Sequence, residues 1–235
     1  MKVLGILGSP HKNGGTAQLL FSALRAAEKE GAETEWYSLY DGEIKPCIGC
    51  IQNEGPECRF PCIFEDYGKF LLQKIYEADG LIFATPIYWF APSGVMKNLI
   101  DRMTCLENMV SFGEPSYLEG KVFGAIVVGA DTGALMTGGY LIATLNSMGA
   151  IIPPWAIAYS YKSKASLWDD KDLMNAINVG LLVARTVALL KGKKVSLFYV
   201  DDKALLEEIR KEVLTELKLS EEPLRHVRKV GYLRY

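Results

Sequence analysis

Histidine is scarce in this chain: two occur in 235 residues, His11 and His226. Neither belongs to a recognisable nucleophile–base pair, so nucleophilic catalysis has no candidate constellation. An excess of charge of one sign is also missing. Twenty-six Lys and Arg against 28 Asp and Glu leave a net charge of −2, which provides no broad basic field for nucleic acid. The apolar residues 1–7 are too few for a secretory signal core. Residues 132–161 carry no charged side chain and are long enough to cross a bilayer. Gly138, Gly139, Asn146, Ser147, Gly149, Pro153 and Pro154 interrupt them, however, and a buried helix followed by a buried strand fits better. The expectation is a cytoplasmic protein that engages neither membrane nor nucleic acid.

What is present is an alternation of strand and helix signals, with 49% hydrophobic residues, enough for one sizeable core. KVLGILG (2–8), TEWYSLY (34–40), GLIFATP (80–86), KVFGAIVVG (121–129) and WAIAYSY (155–161) read as strands. Residues 16–30, 65–77, 93–105, 140–148 and 172–190 read as helices, Ser93 standing at an N-cap position. Repeated strand–helix units imply an α/β fold with a parallel sheet covered on both faces. Right-handed crossovers favour a doubly wound five-stranded sheet of order 2-1-3-4-5. That order places the fifth strand at an edge, as Pro153 and Pro154 require. The character changes after Lys194. An apolar run, VSLFYV, precedes a charged amphipathic helix over 201–219 and a mildly basic tail containing Arg225, Arg228, Lys229 and Arg234. The division expected is a main domain over 1–194 and a C-terminal helical appendage over 195–235, packing on that domain or on a second subunit.

Three loops at strand ends carry the chemistry. GSPHKNGGT (8–16) joins the first strand to a helix, where backbone N–H groups and the positive helix end favour a phosphate. Ser9 and Thr16 add hydroxyls, and Gly14 and Gly15 permit close backbone approach. A Walker loop would need Lys before Thr16 and Gly at the loop's start, but Gly15 and Ser9 stand there. The G-x-G-x-x-G pattern is absent as well. A terminal phosphate monoester is the ligand expected, an empty tight turn the alternative. PIYWFAPSG (86–94) places Tyr88, Trp89 and Phe90 at the end of the third strand, suited to flank a flat ring or to plug a core. GADTGALMTGG (129–139) is rich in small residues, and its Asp131 suits either a ligand contact or a helix N-terminus.

GSPHKNGGT closely resembles the GSPRKNGNT loop of the NADPH-dependent FMN reductase and iron–sulfur flavoprotein group, which has a flavodoxin-like fold. ATPIYWFAPSGVMKNLIDR is similar to that group's flavin-ring loop and following helix, and the segment from PCIGC to the Cys before Glu65 and Asp66 to its cysteine segment. The resemblance spans residues 1–160 and implies an FMN site. Ser9, His11, Asn13, Gly14, Gly15 and Thr16 would hold the phosphate. Pro86, Ile87, Tyr88, Trp89 and Phe90 would line the isoalloxazine, and Gly129, Ala130, Asp131 and Thr132 would close the other side. Two departures stand out: His11 replaces arginine and Gly15 replaces asparagine, with Lys12 or the backbone left to compensate.

Four of five cysteines fall within sixteen residues, as Cys47-x2-Cys50-x7-Cys58-x3-Cys62. The flavoproteins resemble C-x2-C-x2-C with a later fourth cysteine. Cys47, Cys50 and Cys62 match that pattern, Asn53 stands where the third cysteine would fall, and Cys58 does not match. A 4Fe–4S cluster, zinc, and unliganded or redox-switching thiols are the readings open; ordering so long an aperiodic segment favours a ligand. Cys105 reads as a small core hydrophobe, and Asp101 and Arg102 as structural or solvated charges. His226 is assigned nothing.

The function expected is an FMN-dependent oxidoreductase with NAD(P)H as co-substrate. Hydride would pass to flavin N5 and electrons onward to a quinone, flavin, metal, cluster or protein acceptor. No catalytic side chain is needed where the cofactor carries the chemistry. A non-enzymatic electron carrier of flavodoxin or iron–sulfur flavoprotein type is the alternative, and an FMN-free structural module a third. Apolar residues 151–161 and the appendage suggest a homodimer or homotetramer.

Overall fold

A computed structural model describes residues 1–50, 57–162 and 166–220. Five parallel strands form one sheet: β1 (Lys2–Leu7), β2 (Glu33–Ser38), β3 (Gly80–Pro86), β4 (Val122–Val128) and β5 (Ile157–Ser160). Their order is β2-β1-β3-β4-β5, as the alternating pattern requires. The helices are α1 (Gly15–Lys29), α2 (Tyr67–Glu77), α3 (Gly94–Arg102), α4 (Thr104–Glu107), α5 (Ala134–Ser147), α6 (Asp170–Leu190) and α7 (Lys203–Glu216). The chain order 2-1-3 reverses direction between β1 and β3, so the loops leaving those strands flank the crevice where such sheets take ligands.

Each central strand is apolar throughout because both sides of the sheet are covered, and its side chains are sorted by twos. Val3, Leu7, Ile82, Ala84, Val122 and Ile126 face a core shared with α1, α6 and α7. Leu4, Ile6, Leu81, Phe83, Phe123 and Ala125 face a second core beneath α2, α3, α4 and α5. Each fully buried aliphatic or aromatic side chain stabilises by about 1.5–3 kcal/mol relative to exposure.

Helix α6 is long and apolar enough to cross a membrane, but most of it is buried here against α1 and the sheet. The α1–α6 contact is unusually close. A Cβ at Gly180 would lie 1.9 Å from the Ala23 carbonyl oxygen, so only glycine fits. Helix α7 lies on α1, burying Leu206, Ile209, Val213 and Leu214. Outside that apolar strip, Lys29 bonds Glu208 and Glu212, and Arg25 bonds Glu216. The basic tail lies outside the described residues.

Several boundaries differ from the sequence expectation. The third helical segment breaks at Met103 into α3 and α4. Helix α5 begins at Ala134, six residues early, because Gly133 enters it in the left-handed conformation (φ 89°) and needs no polar cap. The apolar run before α7 forms no strand among the described residues. Val200 instead exchanges two hydrogen bonds with the buried Asn178 side chain of α6.

Candidate functional site

Loop 8–14 leaves β1 at the carboxyl edge of the sheet. Gly8 N–H donates to the Ala84 carbonyl of β3 at 2.7 Å. Ser93, fully buried, donates its hydroxyl to the Gly8 carbonyl at 2.8 Å. Its N–H in turn donates to Thr85 Oγ1 at 3.0 Å. Ser93 occupies the N-cap position of α3 but makes no side-chain cap hydrogen bond. Its hydroxyl serves the loop crossing instead, which corrects the simple capping expectation. The first and second loops are thereby fastened together.

The third loop joins them through side-chain fit. Ile87 N–H donates to the Val128 carbonyl at 2.9 Å. A Cβ on Gly129 would lie 2.8 Å from Ile87 Cδ1, and one on Gly133 would lie 3.0 Å from Phe90 Cδ1. The glycines let the β4–α5 loop close on the aromatic one. Tyr161 adds its hydroxyl, which accepts the Ala134 N–H at 3.2 Å at the start of α5.

Local chemistry follows from this arrangement. Helix α1 starts at Gly14 without a side-chain cap and has no acidic residue in its first turn. Its positive end is therefore available to an anion. Ser9 and Thr16 are buried at the loop's base, while His11, Lys12 and Asn13 are exposed. Ser9 Oγ accepts the His11 N–H at 3.2 Å. Lys12 pairs with Asp41 after β2, so its charge is partly committed. Gln18 braces the loop, donating to the Asn13 carbonyl at 3.1 Å and accepting from Leu167 N–H at 3.2 Å.

The aromatic loop is open to solvent. Trp89 is 94% exposed, and Tyr88 and Phe90 are about half exposed. Trp89 and Phe90 both take left-handed backbone (φ 50° and 65°), a conformation bulky residues adopt at a cost and that clusters at ligand sites. A core plug would be buried, so the plugging alternative fails. Tyr40, at the end of β2, extends the surface; burial and the neighbouring Tyr88 push its phenol up. Pro86 ends β3, and Ala130, Asp131 and Thr132 lie exposed before α5. All fifteen expected contact residues thus fall at one edge of the sheet, on three loops or at the adjoining ends of β3 and α1.

The cysteines gather separately, beneath α3 and α4. Cys50 and Cys58 are hydrogen-bonded. Cys105, from α4, lies in the core as expected and is also hydrogen-bonded to Cys62. Arg102 is not solvated. It is 1% exposed and grips Asp66 at 2.8 and 3.1 Å, while its Nε donates to Cys62 Sγ at 3.2 Å. Asp66 in turn accepts Lys45 N–H and caps α2 through Lys69 N–H. The Cys105 thiol, the Phe64 N–H and Arg102 pull the Cys62 thiol down to about 5 against the opposing effect of burial. Burial and Cys50 push Cys58 up to about 12. Donation to Cys62, then burial, raises Cys105. Cys47 is only half-buried. Among the described residues, no three Cys, His, Asp or Glu side chains converge as ligands of a metal ion, and the Asn53 position lies outside those residues. Cys58 interacts electrostatically with Cys50, Cys47 and Cys62, so the four cysteines expected as a ligand set are neighbours in the fold.

Sequence comparison agrees with the loop geometry. The family model described as NADPH-dependent FMN reductase matches residues 1–164. An iron-sulfur flavoprotein of Methanocaldococcus jannaschii is 37% identical over 202 residues, covering 81% of this chain and 100% of the relative. Among solved structures, RosB with the bound intermediate 8-demethyl-8-formylriboflavin-5'-phosphate superposes with a TM-score of 0.70 at 22% identity, covering 100% of this chain and 94% of that one. A flavodoxin from the domain Archaea gives 0.54 at 14% identity, covering 80% of this chain and 99% of the other. These two likenesses show the flavodoxin-like fold. Matched over more than two thirds of its length, with the expected strand order and loop juxtaposition, this chain belongs to the NADPH-dependent FMN reductase family.

Proposed function

We propose that the chain is an FMN-dependent oxidoreductase that draws hydride from NAD(P)H and delivers electrons to a separate acceptor. The observation that carries this reading is the Ser93–Gly8 hydrogen bond, which fixes an uncapped helix start beside an exposed aromatic ledge. A phosphate at the first and a flat ring at the second are the two ends of one mononucleotide. When bound, FMN supplies the two-electron redox chemistry.

The chain's residues bind and orient. Ser9, Asn13, Gly14, Gly15 and Thr16 offer hydroxyl, amide and backbone donors to the phosphate, with His11 at the rim. Pro86, Ile87, Tyr88, Trp89 and Phe90 support the ring, and Gly129, Ala130, Asp131 and Thr132 close its far edge. Leu135 and Met136, 80% and 65% exposed, continue the apolar rim on which a nicotinamide would settle. Exposed Trp155, Tyr159 and Tyr161 beside the edge strand β5 support a homo-oligomer, which light scattering tests.

The test is anaerobic mixing of FMN-loaded protein with NADH and NADPH in turn, following flavin absorbance. Bleaching with either nicotinamide, followed by recovery on adding a quinone or free flavin, is expected. Failure to take up FMN overturns the site. Uptake without bleaching, but with rapid exchange with a protein partner, identifies a carrier instead.

A further inference from the structure

One charged contact beside the phosphate loop has no part in holding the flavin ring. Lys12, in the loop leaving β1, pairs with Asp41, in the segment leaving β2, its Nζ lying 2.5 Å from Oδ1. The two are 29 residues apart, and the parallel β1–β2 register carries both to the carboxyl edge of the sheet. Asp41 is set in place by its backbone. Leu39 N–H continues the ladder to the Leu7 carbonyl at 2.9 Å, Asp41 N–H donates to the Ser38 carbonyl at 3.2 Å, and Tyr67 N–H donates to the Glu43 carbonyl at 3.1 Å. A Cβ on Gly42 would lie 2.6 Å from Tyr67 Cγ, so the residue after Asp41 is seated directly on the start of α2. Lys12 differs, because its ammonium swings on a flexible four-carbon stem. The lysine and aspartate side chains are 52% and 39% exposed, so the pair opens at little cost.

Resting on the FMN reading above, we propose that Asp41 and the flavin phosphate compete for the Lys12 ammonium, so that Asp41 limits how tightly and for how long FMN is held. Lys12 is the one permanent cation in residues 8–16. It stands two residues before Gly14, where α1 starts without a side-chain cap and favours an anion. A phosphate monoester carries a charge of about −1.5 to −2 near neutral pH, and a carboxylate a single charge. The ammonium therefore passes to the phosphate, and Asp41 is left facing that phosphate as a like charge. Both effects subtract from FMN affinity, and neither touches a flavin without a phosphate. Asp41 is thus a specificity-determining residue that acts by opposition: it narrows the margin by which the phosphorylated flavin is preferred. Affinity differences between related complexes fall mainly on the dissociation rate, so the arrangement suits a flavin that exchanges with solution.

The test is binding of FMN and of riboflavin to the full chain at low salt, read by flavin fluorescence. Lys12→Gln should weaken FMN binding about tenfold and leave riboflavin unchanged. Asp41→Asn should tighten FMN about two- to fivefold and slow its release by a similar factor, again sparing riboflavin. In the double variant most of the Asp41→Asn gain should vanish, because no ammonium is left to release. The effects of both single changes should shrink as salt rises. An Asp41→Asn protein that binds FMN no more tightly than wild type overturns the proposal, as does a Lys12→Gln loss shared equally by riboflavin. Wild type that binds both flavins alike overturns the proposal and leaves the ring site standing. Wild type that takes up neither flavin overturns the FMN site and this proposal with it.

Discussion

The two faces of the sheet are built differently. Against one, α1, α6 and α7 pack apolar side chains at close range, and the charged pairs there sit at the outer rim. Against the other lie a buried Arg–Asp pair and four buried thiols in the spaces between short helices. The first face repays tight fit; the second carries polar groups whose burial only partners can offset. Apolar packing is concentrated where the chain is chemically plain, and buried polar chemistry where it is not.

Variants that break this contrast should rank accordingly. Arg102→Met leaves the Asp66 carboxylate buried without its cation, and should cost about 3–5 kcal/mol in urea unfolding. A double change that also makes Asp66 apolar should recover much of that. Gly180→Ala drives a methyl into the Ala23 carbonyl and should cost about 1–3 kcal/mol, read as a lower thermal midpoint with the thiols unaltered. Ser93→Ala leaves the buried Gly8 carbonyl without its donor and should cost about 1–2 kcal/mol; FMN titration should show weakened binding, whereas Gly180→Ala should spare affinity in whatever protein remains folded. Lys29→Ala removes only rim pairs and should change stability by at most about 1 kcal/mol, less at high salt.

Acid sharpens the comparison. Burial by itself would raise the Asp66 carboxyl, but Arg102 and the Lys45 and Lys69 N–H groups hold it below its ordinary value of 3.8. A depressed carboxyl stabilises fully above its unfolded value and loses that contribution as pH falls through the lower folded one. The stability advantage of the wild type over Asp66→Asn should therefore be constant near neutrality and shrink below about pH 4. Thermal midpoints of both proteins between pH 7 and 3 measure it.

The fold was legible wherever burial acts on neighbours in sequence. β3 runs over Gly80–Pro86, the same span as its apolar run, because a strand covered on both faces has no polar positions to blur its ends. The three loops were legible because glycine, hydroxyl and aromatic residues cluster locally. Arg102 and Cys105 were not, since their partners Asp66 and Cys62 are 36 and 43 residues away. One signal was available. Arg102 follows Leu99 at helical spacing and precedes Leu106, so it falls on the apolar face of its segment, where an unpaired guanidinium would not be tolerated. Ser93 was recognised by position but assigned the wrong partner, because local rules for helix starts offer its oxygen a backbone N–H and ignore an acceptor carbonyl brought in by another strand.

That acceptor has a consequence for how the protein can diversify. Ser93 grips main chain, which every amino acid supplies alike. Residues 9–13 are therefore free to be exchanged without loosening the crossing, provided the hydroxyl opposite them is retained. Changes of ligand preference can accumulate on the grasping side while the hinge that aligns it stays put, a separation that a directed library randomising those five positions would exploit.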